Sequence, residues 1–544
     1  MADSRVVLAV IATARASLVA GVVALTATVL AAPTAAQMLN AAAVSNPDSA
    51  LAVELGKIQG DSISLDGAIQ TALNGGSAAA LEAAALVRAA KGELRHQKGA
   101  FDPDLFGAGA REKASLPFTS PFIGTETDRT SATAGVRALL PFGTEVEASM
   151  DGAKLENNST FSTVNPQYNA AGRISINQPL LSGFGPGTSG DLTAAKLESQ
   201  AALFRYDDVM LGVRTLVEEV YWDLYAAQRD LAVQRLIRRQ AEAFVTEAQA
   251  RARSGLVGPE DVANARVFLA SQTASEIDFE ERLDNVSDAL GSLIGRRPAR
   301  GLERFLPSDE PPSDFPIEPV DSLVASAMRE NHELQAQETQ VAATQARATG
   351  AKWNAYPVFN LFGSLGGLGL AGTAQPVTID GVTYQSTESG GFGDAWSEVW
   401  NRDFPTWSAG MALSIPIGFR AGLGDYDRIR AEADRQAEAL ERSRRIVADN
   451  VRIGYRALLN ARRRLDAAKM GVDASRDQVR IGILQYNNGR TTAFELVRLG
   501  TDLATANQRY SRVLVLTAKA AAALRFLTSG AYPGPISSGG STTP

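Results

Sequence analysis

Residues 206–231 read YDDVMLGVRTLVEEVYWDLYAAQRDL, and their apolar positions decide the fold class. Tyr206, Met210, Val213, Val217, Val220, Leu224, Ala227 and Leu231 recur at spacings of 4, 3, 4, 3, 4, 3 and 4. That is a heptad seam, and a heptad seam implies helices supercoiled against neighbours. The helical period extends outward over about residues 188–252, a length of roughly 97 Å at 1.5 Å per residue. No compact globular core is that thick. Ser254-Gly255-Leu256-Val257-Gly258 breaks the helix, and Pro259 starts a return helix that runs to about Ile294.

The same hairpin occurs twice. Tyr221 matches Tyr455, Gly255 matches Gly489 and Leu290 matches Leu524, each 234 residues apart. Leu224/Leu458, Arg229/Arg463, Leu231/Leu465, Val245/Val479, Leu269/Leu503 and Ala289/Ala523 share that offset. A gap-free repeat over residues 190–294 means that one structural unit was duplicated. Over the neighbouring segments the offset drifts: Pro179 to Pro416 gives 237, and Phe101 to Tyr356 gives 255.

Around the hairpins the pattern changes from period 3.6 to period 2. Ser64 is a helix N-cap, and Leu65, Ala68, Ile69, Ala72 and Leu73 line one face of a helix over 64–99. Residues 104–181 alternate, most clearly in Gly135–Leu140 and Arg173–Gln178. That stretch is longer than one hairpin requires, and Thr130–Asp151, around Pro141-Phe142-Gly143-Thr144, is a candidate extra hairpin. Residues 296–319 carry six prolines and read as an irregular connector. The cycle then restarts: a helix over 320–352, strand-like runs at 356–370 and 406–417 around a Gly-rich loop, a long helix over 424–487 and a return helix over 492–527. The division is thus an N-terminal segment 37–63, a first repeat 64–295, a connector 296–319, a second repeat 320–528 and a flexible tail 529–544.

Composition narrows the functional classes. Among 544 residues the net charge is −7, which gives no reason to expect a nucleic-acid partner. There is no Cys, so disulfides, thiolate metal sites, thiol chemistry and a lipidated Cys are excluded. Only His96 and His332 are present; they read as solvated helix residues, and no metal or cofactor is expected. Residues 1–36 read as a secretory signal peptide, with Arg5 and Arg15 before the apolar Ala16–Ala32 and small residues at Thr34-Ala35-Ala36. No later stretch has 18 apolar residues. An exported chain with too few strands to close a barrel must pool strands from several copies if they are to lie in a membrane.

Several segments resemble the TolC family of outer-membrane factors over about residues 62–528. Ser64–Leu73 is similar to the family's opening helix, and Gln178-Pro179-Leu180-Leu181-Ser182-Gly183-Phe184-Gly185 to the strand that re-enters the long helix, with Ile415-Pro416-Ile417-Gly418 as its counterpart. Gly255-Leu256-Val257 with Asp261-Val262 and Asn264-Ala265-Arg266 resembles one hairpin tip; Tyr486, Gly489 and Glu495 resemble the other. The resemblance implies a mainly α fold with β: a homotrimer whose strands form one shared transmembrane β-barrel, continued by a long α-helical coiled-coil tunnel in the periplasm. It further implies an exit duct of a tripartite efflux or type I secretion system, seated in outer-membrane lipid. Its tips would meet a periplasmic adaptor bound to an inner-membrane pump.

By the same resemblance, acids ring the closed end of the tunnel. Asp261 and Glu495 each lie six residues after their tip glycine. Both also suit helix starts, Glu495 through a Thr492-x-x-Glu495 capping box and Asp261 through the helix dipole. Arg498 stands where the family commonly has a second acid, and Tyr486 with Arg490 is the candidate polar lock. Gly255, Leu256, Val257, Gly489, Arg490 and Thr491 are the candidate adaptor contacts. Trp396, Trp400 and Trp407 suit a membrane-interface belt. Gly185-Pro186-Gly187-Thr188-Ser189-Gly190 fits GxGxxG, but a 65-residue helix follows where a dinucleotide fold needs a short crossover, so these glycines read as a strand-to-helix turn. The rival reading is a periplasm-spanning coiled-coil scaffold without transport; an ordinary porin and an enzyme have less support.

Overall fold

The computed structural model describes residues 47–115, 117, 124–379, 381–488 and 490–532. The expected signal peptide, Gly489 and most of the tail lie outside them. In chain order the first half runs α1 (Pro47–Lys57), β1 (Asp61–Ile63), α2 (Leu65–Thr71), α3 (Ala78–Gly99), β2 (Asp104–Ser115), β3 (Glu126–Leu139), β4 (Glu145–Asn157), β5 (Val164–Pro179), α4 (Pro186–Arg253) and α5 (Pro259–Ile294). The second half runs β6 (Phe305–Pro307), α6 (Val320–Glu330), α7 (His332–Asn354), β7 (Val358–Ala374), β8 (Val377–Ile379), β9 (Val382–Tyr384), α8 (Phe392–Asn401), β10 (Phe404–Ser414), α9 (Arg420–Asn487) and α10 (Ala493–Leu527).

The long helices α4 and α9 both contain 68 residues, about 102 Å each. Their first residues, 186 and 420, and their last, 253 and 487, are 234 apart, as are the first residues of the return helices, 259 and 493. The duplication therefore fixes helix ends and not only sequence matches. Of the heptad seam, Val213, Val217, Leu224, Ala227 and Leu231 are buried. They face a ring of neighbours, because α4 packs on α3, α5, α7 and α10.

Halfway along α4 the largest core collects around Tyr221, with Ile63, Leu290, Phe305, Phe315, Leu524 and Tyr532. Phe305 and Phe315 reach it from the segment expected to be an irregular connector. Its residues 305–307 form β6, paired in parallel with β1 through Asp61↔Phe305, Ser62↔Leu306 and Ile63↔Pro307. The Tyr221 hydroxyl, itself buried, fastens that ribbon to α4. It accepts the N–H groups of Ser308 and Asp309, both at 3.1 Å, and lies 3.0 Å from the Ile63 carbonyl. Burial pushes its pKa up to about 12.

Four expectations are corrected here. The helix over 64–99 is two helices: Ser64 caps α2 by accepting the Gly67 N–H at 3.1 Å, but a tight turn with Gly75 at φ +103° separates it from α3. The break brings Gly76 against the end of α5, where a Cβ would stand 1.9 Å from the Ile294 carbonyl oxygen. The helix over 320–352 is also broken, at Asn331, whose side chain accepts the Leu334 N–H at 3.0 Å to start α7. His332 is half-buried at that start, with Nδ1 unpartnered, rather than solvated; His96 is exposed. The tail does not become free at Ser529, because Tyr532 is buried and donates to the Pro316 carbonyl at 2.8 Å.

Replacing Tyr221 by Phe removes the hydroxyl acceptor of the Asp309 N–H and one of the two acceptors of the Ser308 N–H, and an expected loss of about 1 kcal/mol should appear as a lower Tm in detergent. The pH dependence separates this role from packing. The native state holds the phenolic proton more tightly than the unfolded chain, so the contribution is complete below pH 10 and is lost as pH rises toward 12. The Tm gap between wild type and Tyr221→Phe should therefore narrow over that window, whereas a constant gap would refute the hydroxyl's role.

Candidate functional site

Two regions carry the residues singled out from the sequence: a sheet at one end of α4 and α9, and the hairpin tips at the other. The sheet has six antiparallel strands in the order β10-β7-β5-β4-β3-β2. The first half supplies four of them, and β3 and β4 are the extra hairpin expected around Pro141–Thr144. That turn is tied to the start of α4: the Gly185 N–H donates to the Phe142 carbonyl at 3.1 Å, and Thr144 bonds Gln178. Gly183 and Gly185 adopt φ +85° and +52°, and α4 begins at once, so the GxGxxG stretch turns a strand into a helix.

Successive residues of a strand point to opposite faces, so the pairing register assigns every side chain to one face. One continuous row crosses all six strands as Leu105, Val136, Ala148, Ile174, Leu365 and Trp407. The adjacent row crosses as Asp104, Arg137, Glu147, Ser175, Ser364 and Ser408. The first face is apolar and open, with Leu105 80% and Trp407 78% exposed. The second is polar and concave, and carries Arg137–Asp104 at 2.6 Å, Thr133–Asp151 at 2.7 Å and Asn177–Glu145 at 3.2 Å. An apolar outside and a polar inside are what a barrel wall in a membrane needs. The strands have 11 to 17 residues, long enough to span one.

The segment read as a Gly-rich loop between β7 and β10 contains α8. This amphipathic helix lies on the apolar face, seated where that face lacks side chains. A Cβ on Gly369 would stand 1.8 Å from the Ala395 carbonyl oxygen, and one on Gly152 would stand 2.3 Å from the Phe392 ring. Trp396 packs edge-on to Phe392 at 6.3 Å, while Trp400 is exposed. Glu398 accepts the Leu370 N–H at 2.8 Å, just past the point where β10 begins opposite Leu368. Of the three tryptophans, two therefore sit on a helix against the wall and one on the wall itself. The sequence did carry a signal for α8: Phe392, Ala395, Trp396 and Val399 stand at i, i+3, i+4 and i+7.

At the first tip, Gly255 adopts φ +69° and closes α4, with the Leu256 N–H on the Arg251 carbonyl at 2.9 Å and the Gly255 N–H on the Ala252 carbonyl at 3.0 Å. Leu256 is left exposed and Val257 half-buried. Asp261 folds back on its own helix start and accepts the Gly258 N–H at 3.2 Å. The second tip repeats the geometry, with the Arg490 N–H on the Gln485 carbonyl at 2.9 Å. There the expected capping box is only half made. Thr492 accepts the Glu495 N–H at 3.3 Å, but the Glu495 carboxylate turns to Arg498, at 3.0 and 2.5 Å. That guanidinium lowers the Glu495 pKa below the usual carboxylate range. Tyr486 is half-buried; Arg490 is exposed, and Thr491 is half-buried at the turn. Each tip has its own small core, Val245, Ala248 and Ala265 in one, Val472, Val479 and Leu503 in the other.

Among the described residues, no group of His, Cys, Asp or Glu is arranged to hold a metal ion, and no helix is long and apolar enough to cross a membrane. No curated protein matches the chain. Solved structures do. The outer-membrane channel OprN is 15% identical at a TM-score of 0.57, with 90% of this chain and 96% of that one covered. The CmeC outer membrane channel of Campylobacter jejuni is 13% identical at 0.57, covering 86% of each chain. The outer membrane protein VceC of Vibrio cholerae is 14% identical at 0.57, covering 86% of this chain and 97% of that one. A sequence profile for outer membrane efflux proteins matches residues 68–296 and 323–530, one match to each repeat. The chain thus belongs to the outer membrane efflux protein family, channels of the outer membrane with a TolC-like helical tunnel and β-barrel.

Proposed function

We propose that three copies of the chain form one exit duct, in which eighteen strands, six from each copy, close a barrel and the long hairpins form a tunnel beneath it. The observation that carries this reading is the six-stranded sheet with an apolar face, a polar concave face and two unpaired edges, β2 and β10. Strand direction alternates across the sheet, so β10 of one copy meets β2 of the next antiparallel. Barrel width grows about linearly with strand number, so eighteen strands enclose an open aqueous lumen. The duct performs no chemistry; it passes substrates of an inner-membrane pump to the exterior. Leu256, Val257 and Gly255 of one tip, with Arg490, Thr491 and Gly489 of the other, meet the periplasmic adaptor. A periplasmic scaffold without transport has no use for a sheet of this two-faced kind.

Purified in detergent, the protein should have the mass of three chains and should form ion-conducting pores in a planar bilayer; single chains, or trimers that never conduct, would sink the proposal. At the tips, the lumen charge rests on Asp261 and on a Glu495 already balanced by Arg498. Arg498→Gln should accordingly raise the cation-to-anion permeability ratio, roughly twofold, and Asp261→Ala with Glu495→Ala should lower it. Unchanged reversal potentials in both variants would remove these residues from the constriction. Trp396, Trp400 and Trp407 mark the outer membrane interface. In vesicles with brominated acyl chains, a variant retaining only Trp407 should be quenched strongly and one retaining only the buried Trp222 should not.

A further inference from the structure

Within one copy the two repeats meet along a seam where α4 of the first packs on α7 and α10 of the second. Where α4 meets α10, three ion pairs cross among the described residues: Asp230–Arg512 at 2.9 Å, Asp223–Lys519 at 2.7 Å and Glu218–Arg525 at 2.9 Å. Two glycines are fitted into it, Gly500 against the Gln240 side chain and Gly212 against the Phe526 ring. The other long helix, α9, packs on α6, α7 and α10; among the described residues, α3 and α5 are not its packed neighbours. The duplication therefore specifies a second seam, a long helix against the return helix of the other repeat, that one copy leaves unfilled.

The offset of 234 says how that seam would be built. Moving Asp230 forward gives Arg464, and moving Arg512 back gives Asp278: the ion pair survives with its signs exchanged. Gln240 facing Gly500 becomes Ala474 facing Arg266, and Gly212 facing Phe526 becomes Ile446 facing Ser292. In each case the large residue moves to the opposite helix and the small one makes room for it. The remaining two pairs become Ala457 with Asn285 and Arg452 with Gly291, neither of which brings like charges together. All of these second-seam positions on α9 are exposed, as are Asp278, Arg266, Ser292 and Asn285 on α5. Ile277 is 63% exposed although its counterpart Ser511 is 6% exposed, and Ile446 is 51% exposed.

We infer that α9 docks on α5 of a neighbouring copy in the register of the in-copy seam, pairing Arg464 with the neighbour's Asp278 and covering Ile446 and Ile277. This rests on the ring of copies proposed above, and it adds what sets the order of helices around the ring. With the signs exchanged, α9 on α10 of another copy would face Arg464 with Arg512, and α4 on a foreign α5 would face Asp230 with Asp278. Each long helix thus has one acceptable return helix at this position, because the wrong pairing meets like charge.

The absence of native Cys makes the test direct. In membranes, Asp278→Cys with Arg464→Cys and a short bis-maleimide should give covalent ladders, and either single variant should give only single chains. In detergent, Asp278→Arg should raise the fraction of dissociated chains about fivefold, and adding Arg464→Asp should restore the wild-type value. An oligomer of three-chain mass that yields no ladder, or a double reversal no better than the single one, overturns this docking register alone. A protein with the mass of a single chain overturns the proposed duct with it.

Discussion

Among the described residues, backbone N–H and C=O groups along the outer edges of β2 and β10 have no strand partner within the copy, and hydrocarbon offers none. The two strands have 12 and 11 residues, and each polar group left unsatisfied in lipid costs on the order of several kcal/mol. The sum exceeds the whole stability of a typical domain, about 5–15 kcal/mol. The sheet therefore belongs in a membrane only as a sector of a closed barrel, and the other features follow: a polar row beside the apolar row, the exposure of bulky residues such as Leu105 and Trp407, and a β3–β4 turn fastened to the start of α4 through the Phe142–Gly185 contact. Glu398 meets the same constraint in miniature. It supplies an acceptor to the Leu370 N–H at the one stretch of β7 that β10 is too short to cover.

Below the sheet the governing constraint is length. Two hairpins standing side by side must reach the same depth, and one residue more in either long helix would rotate every later side chain by about 100° relative to its neighbours. That is why α4 and α9 agree in residue count while the strand segments do not. The hairpin β3–β4 was accommodated at the free end, where an added pair of strands widens a wall without shifting a seam. At the middle, the β1–β6 ribbon and Tyr221 lock the connector onto α4, so the link between repeats is part of the core rather than a tether.

Long-range order was legible in the sequence wherever it repeats. The heptad positions from Val213 to Leu231 and the 234-residue offset give the hairpins, their ends and the duplication, and the excess length of 104–181 gives the added strands. What escaped was set by contacts between distant segments. The break before α3 depends on Gly76 meeting the Ile294 carbonyl, and β6 exists only because β1 lies beside it. Tyr532 is buried by Pro316, far from it in the chain. At the tip, Thr492-x-x-Glu495 fits a capping box, yet a guanidinium three residues on outcompetes a backbone N–H for the carboxylate. Helix α8 had its apolar period in view, but flanking glycines and its short length masked it.

The two seams face different circumstances, and α9 reflects this. The α4 seam closes within a single chain, where tethering keeps the effective concentration of its other half high. Asp230 is buried there beside Arg512, and removing the guanidinium would strand its carboxylate. In the proposed ring, helix α9 stands instead as a long helix with one side in water until another copy arrives. Among its described residues are six acid–arginine pairs three residues apart: Asp425–Arg428, Glu432–Arg435, Glu441–Arg444, Asp449–Arg452, Asp473–Arg476 and Asp477–Arg480. In each the acid lies N-terminal to the arginine. Such pairs support a solvated helix by about 0.2–0.5 kcal/mol each without any tertiary neighbour. They keep α9 helical and soluble while its few apolar exposed positions, Ile446 and Ile453 among them, wait for cover. Duplication made two copies of one seam; in the proposed ring one of them forms between separate chains, and that demand is enough to explain why its charges and its packing diverged from the first.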